Sequence, residues 1–466
     1  MLSGDNGILQ KATTAKTETE KSQEEEIVAL AYNSALAKKV STGDSTPVTA
    51  NDLNTELTNQ GATATGSTPI KVTFTVSQRQ YTITSSGEII FAGIKNGDEQ
   101  DANELPTALG TKPYFPSDKF KQLEGTDLTT GLVITDKSEN EDVGNEYVWI
   151  EVPSTAVDST ATGGPDYSGV SGATDYTKIA TALRTYCTKD SNNENLITVT
   201  DGTETTKDYN STTVGFSDTY HAGCGLADSE TYTTLYNKML KSVYENGGFW
   251  IGRYEAGTGT ARQSGDSASG IIPLSKIDLY PINFVTCGEA QTIAVSVQNK
   301  GSYNSSLMFG IQWDLVLRHL SNKGVATNLL TGNSESWGNY DFTYNLNQGN
   351  AHGFKGALAP WSGSSITWSA IESNYSHTAG SYPDNPYYAL STGATTRNMQ
   401  KNIYDLAGNM YEWTLESAIS NNNNFNTIRG GYFYGNGSSS PVSNRINSAS
   451  TSDYRERFSR CNLLVL

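Results

Sequence analysis

The sequence predicts an α+β protein with two modules: a long N-terminal helix with a small antiparallel sheet, and then a larger mixed domain. Three observations predict this arrangement. Good helix formers without large apolar side chains fill residues 11–26, and alternating apolar residues follow near residue 70. From about residue 112 the composition shifts towards aromatic residues and glycine. We therefore assign residues 1–111 to the first module and residues 112–466 to the second.

The first module begins with one helix, predicted over about residues 5–39. Apolar side chains are concentrated between Ile27 and Leu36, so the second half of the helix is the part expected to pack on the fold. A small sheet is predicted over about residues 70–91, because apolar and polar residues alternate there as in half-buried strands. The expected pieces are a turn-rich break at 41–49, an amphipathic segment at 52–57 and strands at 70–76, 80–84 and 88–91.

The second module combines strand signals, a helical pattern and a long polar insertion. Apolar and aromatic runs at 147–152 and 247–255 predict strands, and the spacing of apolar residues at 307–320 predicts a helix. Residues 154–218 are rich in Ser, Thr, Asn, Asp and Gly, which indicates an insertion, over about residues 154–235, with one helical piece at 176–186. The tryptophans expected in the core are Trp250, Trp313, Trp337 and Trp413.

Charge and cysteine content exclude several classes of function. The chain has 49 acidic and 32 basic residues, and a net charge of −17 disfavours binding to nucleic acid or anionic membranes. No run of 18 apolar residues occurs. With four histidines and no HExxH motif, a histidine-based metal centre is not expected. The four cysteines lack zinc-ligand spacing and could form between zero and two disulfides: Cys187, Cys224, Cys287 and Cys461.

Residues 432–459 are the most informative segment of the chain. Of these 28 residues, 14 are Tyr, Asn or Ser, without strand-like alternation or a helical stripe, so we expect an irregular surface. Tyr gives a large amphipathic contact area, and Ser and Asn give adaptable hydrogen bonding. A solvated low-complexity tail is the alternative, but the apolar run at 463–466 would anchor the far end of the segment in a core. We therefore interpret the segment as a displayed recognition surface.

The residues 2–12, Leu-Ser-Gly-Asp-Asn-Gly-Ile-Leu-Gln-Lys-Ala, lead into the predicted long helix, and the small sheet follows. This arrangement resembles the type IV pilin fold, and the opening is similar to that of pilin-like proteins of Gram-positive gut bacteria. The resemblance implies an apolar N-terminal anchor, which we infer is missing here, with Met1 in its place. It also implies contacts with other pilin subunits through the helix, membrane attachment only through that anchor, and an extracellular location on the cell surface or in a pilus. A helical arm or dimerising coil is the alternative, although no heptad repeat sustains a coiled coil.

Three short elements follow one another in the second module. Gly-Asn-x-x-Glu-Trp occupies 408–413, Arg-Gly-Gly occupies 429–431, and Phe-Ser-Arg at 458–460 falls where a closing Gly-Phe-Arg is expected. Together they resemble the formylglycine-generating-enzyme branch of the C-type lectin fold, over about residues 112–466 without the insertion. The resemblance implies a C-type lectin domain, and we expect Arg429 to form ion pairs inside it.

The enzymes of this branch oxidise a substrate cysteine with two neighbouring C-terminal cysteines that hold copper. This chain has only Cys461 in that region, so we predict that it is not an enzyme and that Cys461 is a packing residue. Asp405 and Glu412 are expected to make local hydrogen bonds rather than to form a catalytic acid pair. No cofactor is required, but the resemblance implies a structural calcium ion with Asn409 and Glu412 as its ligands.

The composition of 432–459 is similar to that of variable proteins of diversity-generating retroelements, which belong to the same fold. In these proteins, a mutagenic reverse transcriptase rewrites adenine-containing codons near the end of the gene. The resemblance implies a cell-surface, pilin-like adhesin that binds an unknown protein or glycan ligand through a diversified face. The predicted ligand-binding residues are Tyr432, Tyr434, Asn436, Ser438, Ser439, Ser440, Ile446, Asn447, Ser448, Ser450, Ser452, Asp453, Tyr454 and Arg455.

Two other functions stay open from sequence. One is a minor pilin of fixed sequence that binds surface glycans, and the other is an oxidase-like enzyme, which the cysteine count disfavours.

Overall fold

The structure is a computed structural model, and it describes most of the chain. The described residues are 4–67, 69–77, 79–84, 87, 89–94, 105–138, 141, 143–190, 192–197, 199–200, 203–207, 213–301, 303–341, 344–346, 357–360, 367–370, 375–377, 388–420, 423–449, 457–458 and 461–464. Helices and antiparallel sheets are both present, which confirms the α+β class. The chain divides into two compact units, Met1–Leu105 and Pro106–Leu466.

The first unit consists of two helices and an antiparallel sheet in the order β1-β2-β3-β4. The helix expected at 5–39 is α1, and the amphipathic segment expected at 52–57 is α2, which starts with a capping box between Thr49 and Asp52. Strand β1 was not expected, because its alternating Ala and Thr residues give a weak apolar signal. The bounds are α1 Gly4–Ser41, α2 Ala50–Glu56, β1 Ala62–Thr65, β2 Ile70–Phe74, β3 Arg79–Ile83 and β4 Ile89–Ile94.

The core of the first unit lies between the second half of α1 and one face of the sheet. Val28 of α1 and Val72 of β2 are fully buried, as the apolar clustering in the sequence predicts. A buried polar contact supplements this packing, since Glu24 lies 3.3 Å from the Arg79 guanidinium and accepts a 3.1 Å hydrogen bond from the Tyr81 hydroxyl.

The second unit contains the remaining helices and strands. Its helices are α3 Tyr176–Thr188, α4 Ser229–Asn246, α5 Cys287–Val295, α6 Gly310–Asn322 and α7 Thr327–Thr331, with short 3₁₀ turns at Glu335–Trp337 and Thr396–Asn398. Its strands are β5 Lys121–Gln122, β6 Val133–Thr135, β7 Glu146–Glu151, β8 Val199–Thr200, β9 Thr203–Lys207, β10 Thr213–Ser217, β11 Gly248–Gly252, β12 Gly257–Thr258, β13 Tyr280–Pro281, β14 Asn304–Leu307, β15 Tyr344–Leu346, β16 Ala357–Pro360, β17 Ser369–Ala370, β18 Tyr375–His377, β19 Tyr388–Leu390, β20 Met399–Gln400, β21 Ile403–Tyr404, β22 Tyr411–Ser420, β23 Asn423–Arg429, β24 Arg445–Ser448, β25 Arg457–Phe458 and β26 Cys461–Leu464.

Two sheets organise the second unit. The central sheet runs β14-β26-β11-β7-β6-β5, and Trp149 of β7 faces Trp250 of β11 with ring centroids 5.0 Å apart. The C-terminal sheet runs β24-β23-β22-β10-β9-β8, with β25 parallel to β22. All four tryptophans expected in the core are buried. The last strand, β26, pairs with both β11 and β14 in the central sheet.

The segment 154–235 contains more secondary structure than its polar composition predicts. Besides the helical piece α3, it contains strands β8 to β10, and β10 pairs directly with β22 of the C-terminal sheet. Its last residues belong to helix α4. Asp228 is the N-cap of this helix, and its side chain accepts a hydrogen bond from the backbone N–H of Thr231. None of the helices in the described part of the chain is long and apolar enough to cross a bilayer.

Candidate ligand-binding surface

The segment between β23 and the end of β24 carries most of the predicted ligand-binding residues. We call its residues 432–447 the C-terminal surface. Asn436, Ser438 and Ser439 are exposed, Tyr432 and Tyr434 are half-buried, and so are Ile446 and Asn447. The C-terminal surface therefore presents both aromatic and small polar side chains.

Two consecutive glycines start this segment. Gly430 and Gly431 have φ angles of 91° and 85°, a conformation that residues with a side chain rarely adopt. A Cβ on Gly430 would lie 2.9 Å from the carbonyl oxygen of Leu406, and one on Gly431 would lie 2.6 Å from that of Ser440. The Arg-Gly-Gly element thus permits a tight change of chain direction directly after β23.

Residues 334–341 form hydrogen bonds with the backbone of the C-terminal surface from the interior of the domain. The Tyr340 hydroxyl is fully buried and lies 3.0 Å from the carbonyl oxygen of Gly430 and 2.9 Å from that of Ser440. The backbone N–H of Asp341 donates to the Gly435 carbonyl at 2.9 Å. Both ends of the turn-rich segment are therefore tied to buried groups.

Aromatic stacking fixes the two tyrosines of the surface. Tyr432 stacks on buried Tyr411, with ring centroids 4.5 Å apart, and Tyr434 contacts Tyr432 edge-on at 4.4 Å. Phe433, between them, is buried. Rings that are already ordered lose little conformational entropy on binding, which favours their use as contact anchors.

Asn436 orders the polar tip of the segment. Its side-chain oxygen accepts hydrogen bonds from the backbone N–H groups of Ser438 at 2.9 Å and Ser439 at 3.3 Å, which is an Asx turn. The Ser438 hydroxyl also donates to this oxygen. The exposed tip is consequently a defined turn.

A buried ion-pair network lies under the surface. Arg429 has no exposed area, and its guanidinium lies 2.9 Å from Asp314 Oδ1 and 3.3 Å from Glu416 Oε2. Arg445 pairs with the same two carboxylates, with its Nε 3.0 Å from Glu416 Oε1. Arg429 Nε also donates to the carbonyl oxygen of Asn444 at 3.0 Å. The expected internal pairing of Arg429 is confirmed, and it connects α6, β22, β23 and β24.

A register shift in β22 places Glu416 in this network. The pairing of β22 with β23 is interrupted between Trp413 and Ser417. In the interruption, the backbone N–H of Leu415 donates to the carbonyl of Met308, and its carbonyl accepts from the hydroxyl of Tyr232, both at 2.8 Å. Such a bulge redirects side chains relative to the regular strand.

Asp218 is a further buried carboxylate, at the N-terminus of α6. Its two oxygens accept from the backbone N–H groups of Gly310 at 2.7 Å and Ile311 at 3.0 Å, and the Arg184 guanidinium lies 3.3 Å away. Burial raises the pKa of Asp218 to about 6; the charge of Arg184 lowers this pKa, and that of Glu416 raises it. Desolvation thus outweighs the favourable contacts at this carboxyl.

The raised pKa of Asp218 predicts a pH-dependent stability. An unfolded aspartate titrates near pH 3.9, so between about pH 4 and pH 6 the folded protein binds more protons than the unfolded chain. The free energy of unfolding should therefore fall as the pH rises through this window, by about 2–3 kcal/mol from this group. We expect Asp218→Asn to gain about that much stability relative to the wild type between about pH 4 and pH 7 in urea titrations.

A suitable control for this prediction is Asp158→Asn. Hydrogen bonds from Thr160 lower the pKa of Asp158, so this group titrates below about pH 4, and the stability difference between this variant and the wild type should stay nearly constant from about pH 4 to pH 7. A difference between wild type and Asp218→Asn that stays constant with pH would contradict the assignment.

Asn409 and Glu412, the predicted calcium ligands, are both buried. The Asn409 side-chain oxygen accepts from Asn339 Nδ2 and from the backbone N–H of Leu390, both at 2.9 Å, and its amide donates to Glu255 Oε2 at 2.6 Å. This side chain therefore connects three other parts of the domain through buried hydrogen bonds. No cluster of three or more His, Cys, Asp or Glu side chains suited to a metal occurs among the described residues, and the calcium site stays a prediction.

Asp405, seven residues before Glu412, makes hydrogen bonds inside the domain, as predicted. It is buried, and its Oδ2 accepts a 2.7 Å bond from the backbone N–H of Gly393. The described cysteines Cys187, Cys224 and Cys287 are buried free thiols. Burial raises the pKa of the Cys224 and Cys287 thiols, which keeps them protonated at neutral pH.

The structure corrects part of the predicted surface. Ser440 and Ser448 are buried, so they do not belong to the exposed face. Residues 445–448 were expected to be irregular but form β24, because their backbone pairs with β23 and hydrogen bonding overrides the weak polar pattern. The remaining predicted contacts lie outside the described residues: Ser450, Ser452, Asp453, Tyr454 and Arg455.

The residues that support the surface are not apparent from the sequence. Tyr340, Asp314 and Glu416 are far from Arg429 in sequence or separated from it by a bulge, so spacing could not bring them together. One signal was available, since Asp314 interrupts the apolar stretch Ile311–Leu317 of a helix. A carboxylate among apolar helix residues suggests a buried ionic partner.

Comparison with protein-family models and with curated protein sequences finds no match to this chain.

Proposed function

We propose that this chain is a cell-surface, pilin-like adhesin that binds a protein or glycan ligand through the C-terminal surface, by equilibrium recognition without chemistry. The main support for the proposal is that the C-terminal surface has exposed and half-buried side chains, while buried groups form hydrogen bonds with its backbone. The Tyr340 hydroxyl and Arg429 hold carbonyl groups of the segment, whereas Asn436, Ser438 and Ser439 are open to solvent.

This separation suits a surface whose sequence varies. Substitutions at exposed positions without special contacts change the free energy of unfolding by less than about 0.5 kcal/mol, so recognition can change while the fold is kept. A diversity-generating retroelement could therefore rewrite these codons without unfolding the protein. The same geometry serves a fixed minor pilin that binds glycans, which is the second candidate.

The modules are proposed to be a type IV pilin-like unit and a C-type lectin unit of the formylglycine-generating-enzyme branch. Support for the first is the 38-residue helix α1 followed by an antiparallel sheet. Support for the second is the contact between its two motifs, in which the Gly408 N–H donates to the Gly430 carbonyl at 2.7 Å. In this proposal, α1 contacts other pilin subunits, and a preceding anchor would hold the protein at the cell surface.

The genomic neighbourhood provides the first test. A near-copy of the codons for residues 432–459 that differs mainly at adenines, beside a reverse transcriptase gene, would support diversification. Without such a copy in the complete genome, the fixed-sequence adhesin would be favoured. Oxygen consumption that depends on copper and a cysteine peptide would overturn the proposal that the protein is not an enzyme.

A matched pair of serine variants tests whether the surface tolerates change. Ser439 is exposed and its neighbour Ser440 is buried, so Ser439→Tyr should change the free energy of unfolding by less than about 0.5 kcal/mol. Ser440→Tyr should cost about 1–3 kcal/mol or more, because a ring does not fit a packed site. Urea unfolding of both variants measures this difference, and equal costs would contradict a rigid scaffold with an open face.

Binding itself is tested on a glycan array with the intact chain. Tyr432→Ala combined with Tyr434→Ala should abolish a signal that the wild type gives, while Ser439→Ala should have a small effect. Retained binding by the double tyrosine variant would place the contact elsewhere.

A further inference from the structure

A second concave site lies in the same unit, between α4, α5 and β14. It is a cleft of about 410 Å³, within the size range of small-ligand sites. Its rim is formed by exposed residues at the start of α4, including Glu230 and Thr231, and its floor includes buried Gln291 and Ser305. None of its lining residues belongs to the C-terminal surface.

Two residues that line the cleft, Gln291 and Asn304, each have a buried polar atom without a partner among the described residues. Gln291 is 1% exposed, and its Oε1 accepts a 2.9 Å hydrogen bond from the backbone N–H of Leu307. Its Nε2, however, has no hydrogen-bond partner in the part of the chain that the structure describes, and the same holds for the buried Oδ1 of Asn304. A buried unsatisfied polar atom costs about 1–3 kcal/mol. Because Gln291 and Asn304 line the cleft, a side-chain rotation would allow a ligand with an acceptor and a donor to satisfy these two atoms.

The charges around the cleft favour an anion. Lys238 and Lys300 line it together with Glu230, which leaves one excess positive charge. Lys300 Nζ donates to the Val295 carbonyl and lies 3.2 Å from Ser305 Oγ. Lys238 has no ion pair or hydrogen bond with any residue that the structure describes, so its charge is available to a ligand.

We propose that this cleft binds a small hydroxylated carboxylate of the size of a hexuronic acid. The ligand carboxylate would pair with Lys238, and a ring or hydroxyl oxygen would accept from Gln291 Nε2. A ligand hydroxyl would donate to Asn304 Oδ1, and the apolar face of the ring would pack on Leu226 and Leu235, which also line the cleft. The proposal is independent of recognition at the C-terminal surface.

The test is calorimetric titration of the intact chain with glucuronate, and with glucose as the uncharged counterpart. Glucuronate should bind saturably, and glucose about tenfold more weakly, because a hydrogen-bonded charge pair is equivalent to about one decade in affinity. Lys238→Met should weaken glucuronate binding about tenfold, and Gln291→Met should weaken the binding of both sugars.

Lys241→Met is the matched control. Lys241 lies on the same helix, does not line the cleft and pairs with Glu245 at 3.9 Å, so its variant should bind glucuronate like the wild type. Three results would overturn the proposal: no saturable binding of glucuronate at concentrations on the order of 10 mM, equal affinity for glucose, or equal effects of Lys238→Met and Lys241→Met. If circular dichroism shows that Gln291→Met is misfolded, the comparison of the two lysine variants decides.

Discussion

Replacing Arg429 by alanine is expected to lower the free energy of unfolding of the second unit by about 3–5 kcal/mol. The guanidinium has no exposed area and neutralises two carboxylates, Asp314 and Glu416, that are each 1% exposed. Without it, Arg445 would be the one described basic residue paired with both charges. Removing one partner from a buried network costs far more than the net contribution of the intact network, because the remaining charges stay desolvated.

The loss should extend to the C-terminal surface. Arg429 Nε donates to the Asn444 carbonyl, and its Nη2 lies 3.4 Å from the Ser443 carbonyl. The variant should therefore weaken the near-ultraviolet circular dichroism of the stacked tyrosines, because the segment that carries them loses two of its anchors. Urea unfolding and this spectrum together measure the effect.

Three further variants separate the causes. Arg429→Lys keeps the charge but cannot reach both carboxylates with a planar fork, so an intermediate loss is expected. Arg429→Ala combined with Glu416→Ala should cost less than the sum of the single losses, because the second change removes a charge that the first left unpaired. Lys178→Ala breaks an exposed pair with Asp175 and should cost less than about 1 kcal/mol. A loss for Arg429→Ala as small as that control would contradict the network.

The parts of the fold that sequence could predict are those with strong local periodicity. The alternation in Ile70–Phe74 and the helical spacing in Gly310–Asn322 follow directly from which side chains are buried. Helix α4 was missed although Tyr232, Leu235 and Met239 form a buried stripe, because the surrounding Thr and Ser residues have low helix propensity. The polar residues around this stripe therefore made the helical pattern hard to recognise, although the stripe packs in the core.

The candidate site could likewise be predicted only in part from the sequence. Composition indicates which residues are suited to contact, and Tyr432, Tyr434, Asn436, Ser438 and Ser439 are at least partly accessible. It cannot tell an exposed serine from a buried one, since Ser439 and Ser440 differ only in their surroundings. Burial of Ser448 depends on the pairing of β24 with β23, which is a non-local contact.

The second large effect is expected at Asn409, where replacement by leucine should lower the free energy of unfolding by about 4 kcal/mol or more. Its φ angle of 56° is left-handed, which costs a residue such as leucine about 1–2 kcal/mol. The change also removes the amide that donates to buried Glu255 and accepts from Asn339 and Leu390. Those groups would remain buried without this partner, which is the larger part of the cost.

Two controls divide this cost into its backbone and side-chain parts. Asn193 has a φ angle of 66° but is exposed, and its side chain makes one exposed hydrogen bond, with Lys189 at 2.8 Å, so Asn193→Leu should show mainly the conformational cost of about 1–2 kcal/mol. Asn409→Gly keeps the backbone conformation and removes only the amide, and it should retain most of the loss. Equal, small losses for Asn409→Leu and Asn193→Leu would show that the buried amide contributes little. A large loss for Asn409→Leu alone would show that the buried amide carries the cost. Asn409 also connects the Gly-Asn-x-x-Glu-Trp element to the surface that we propose binds the ligand, since its carbonyl accepts from the Phe433 N–H at 2.9 Å.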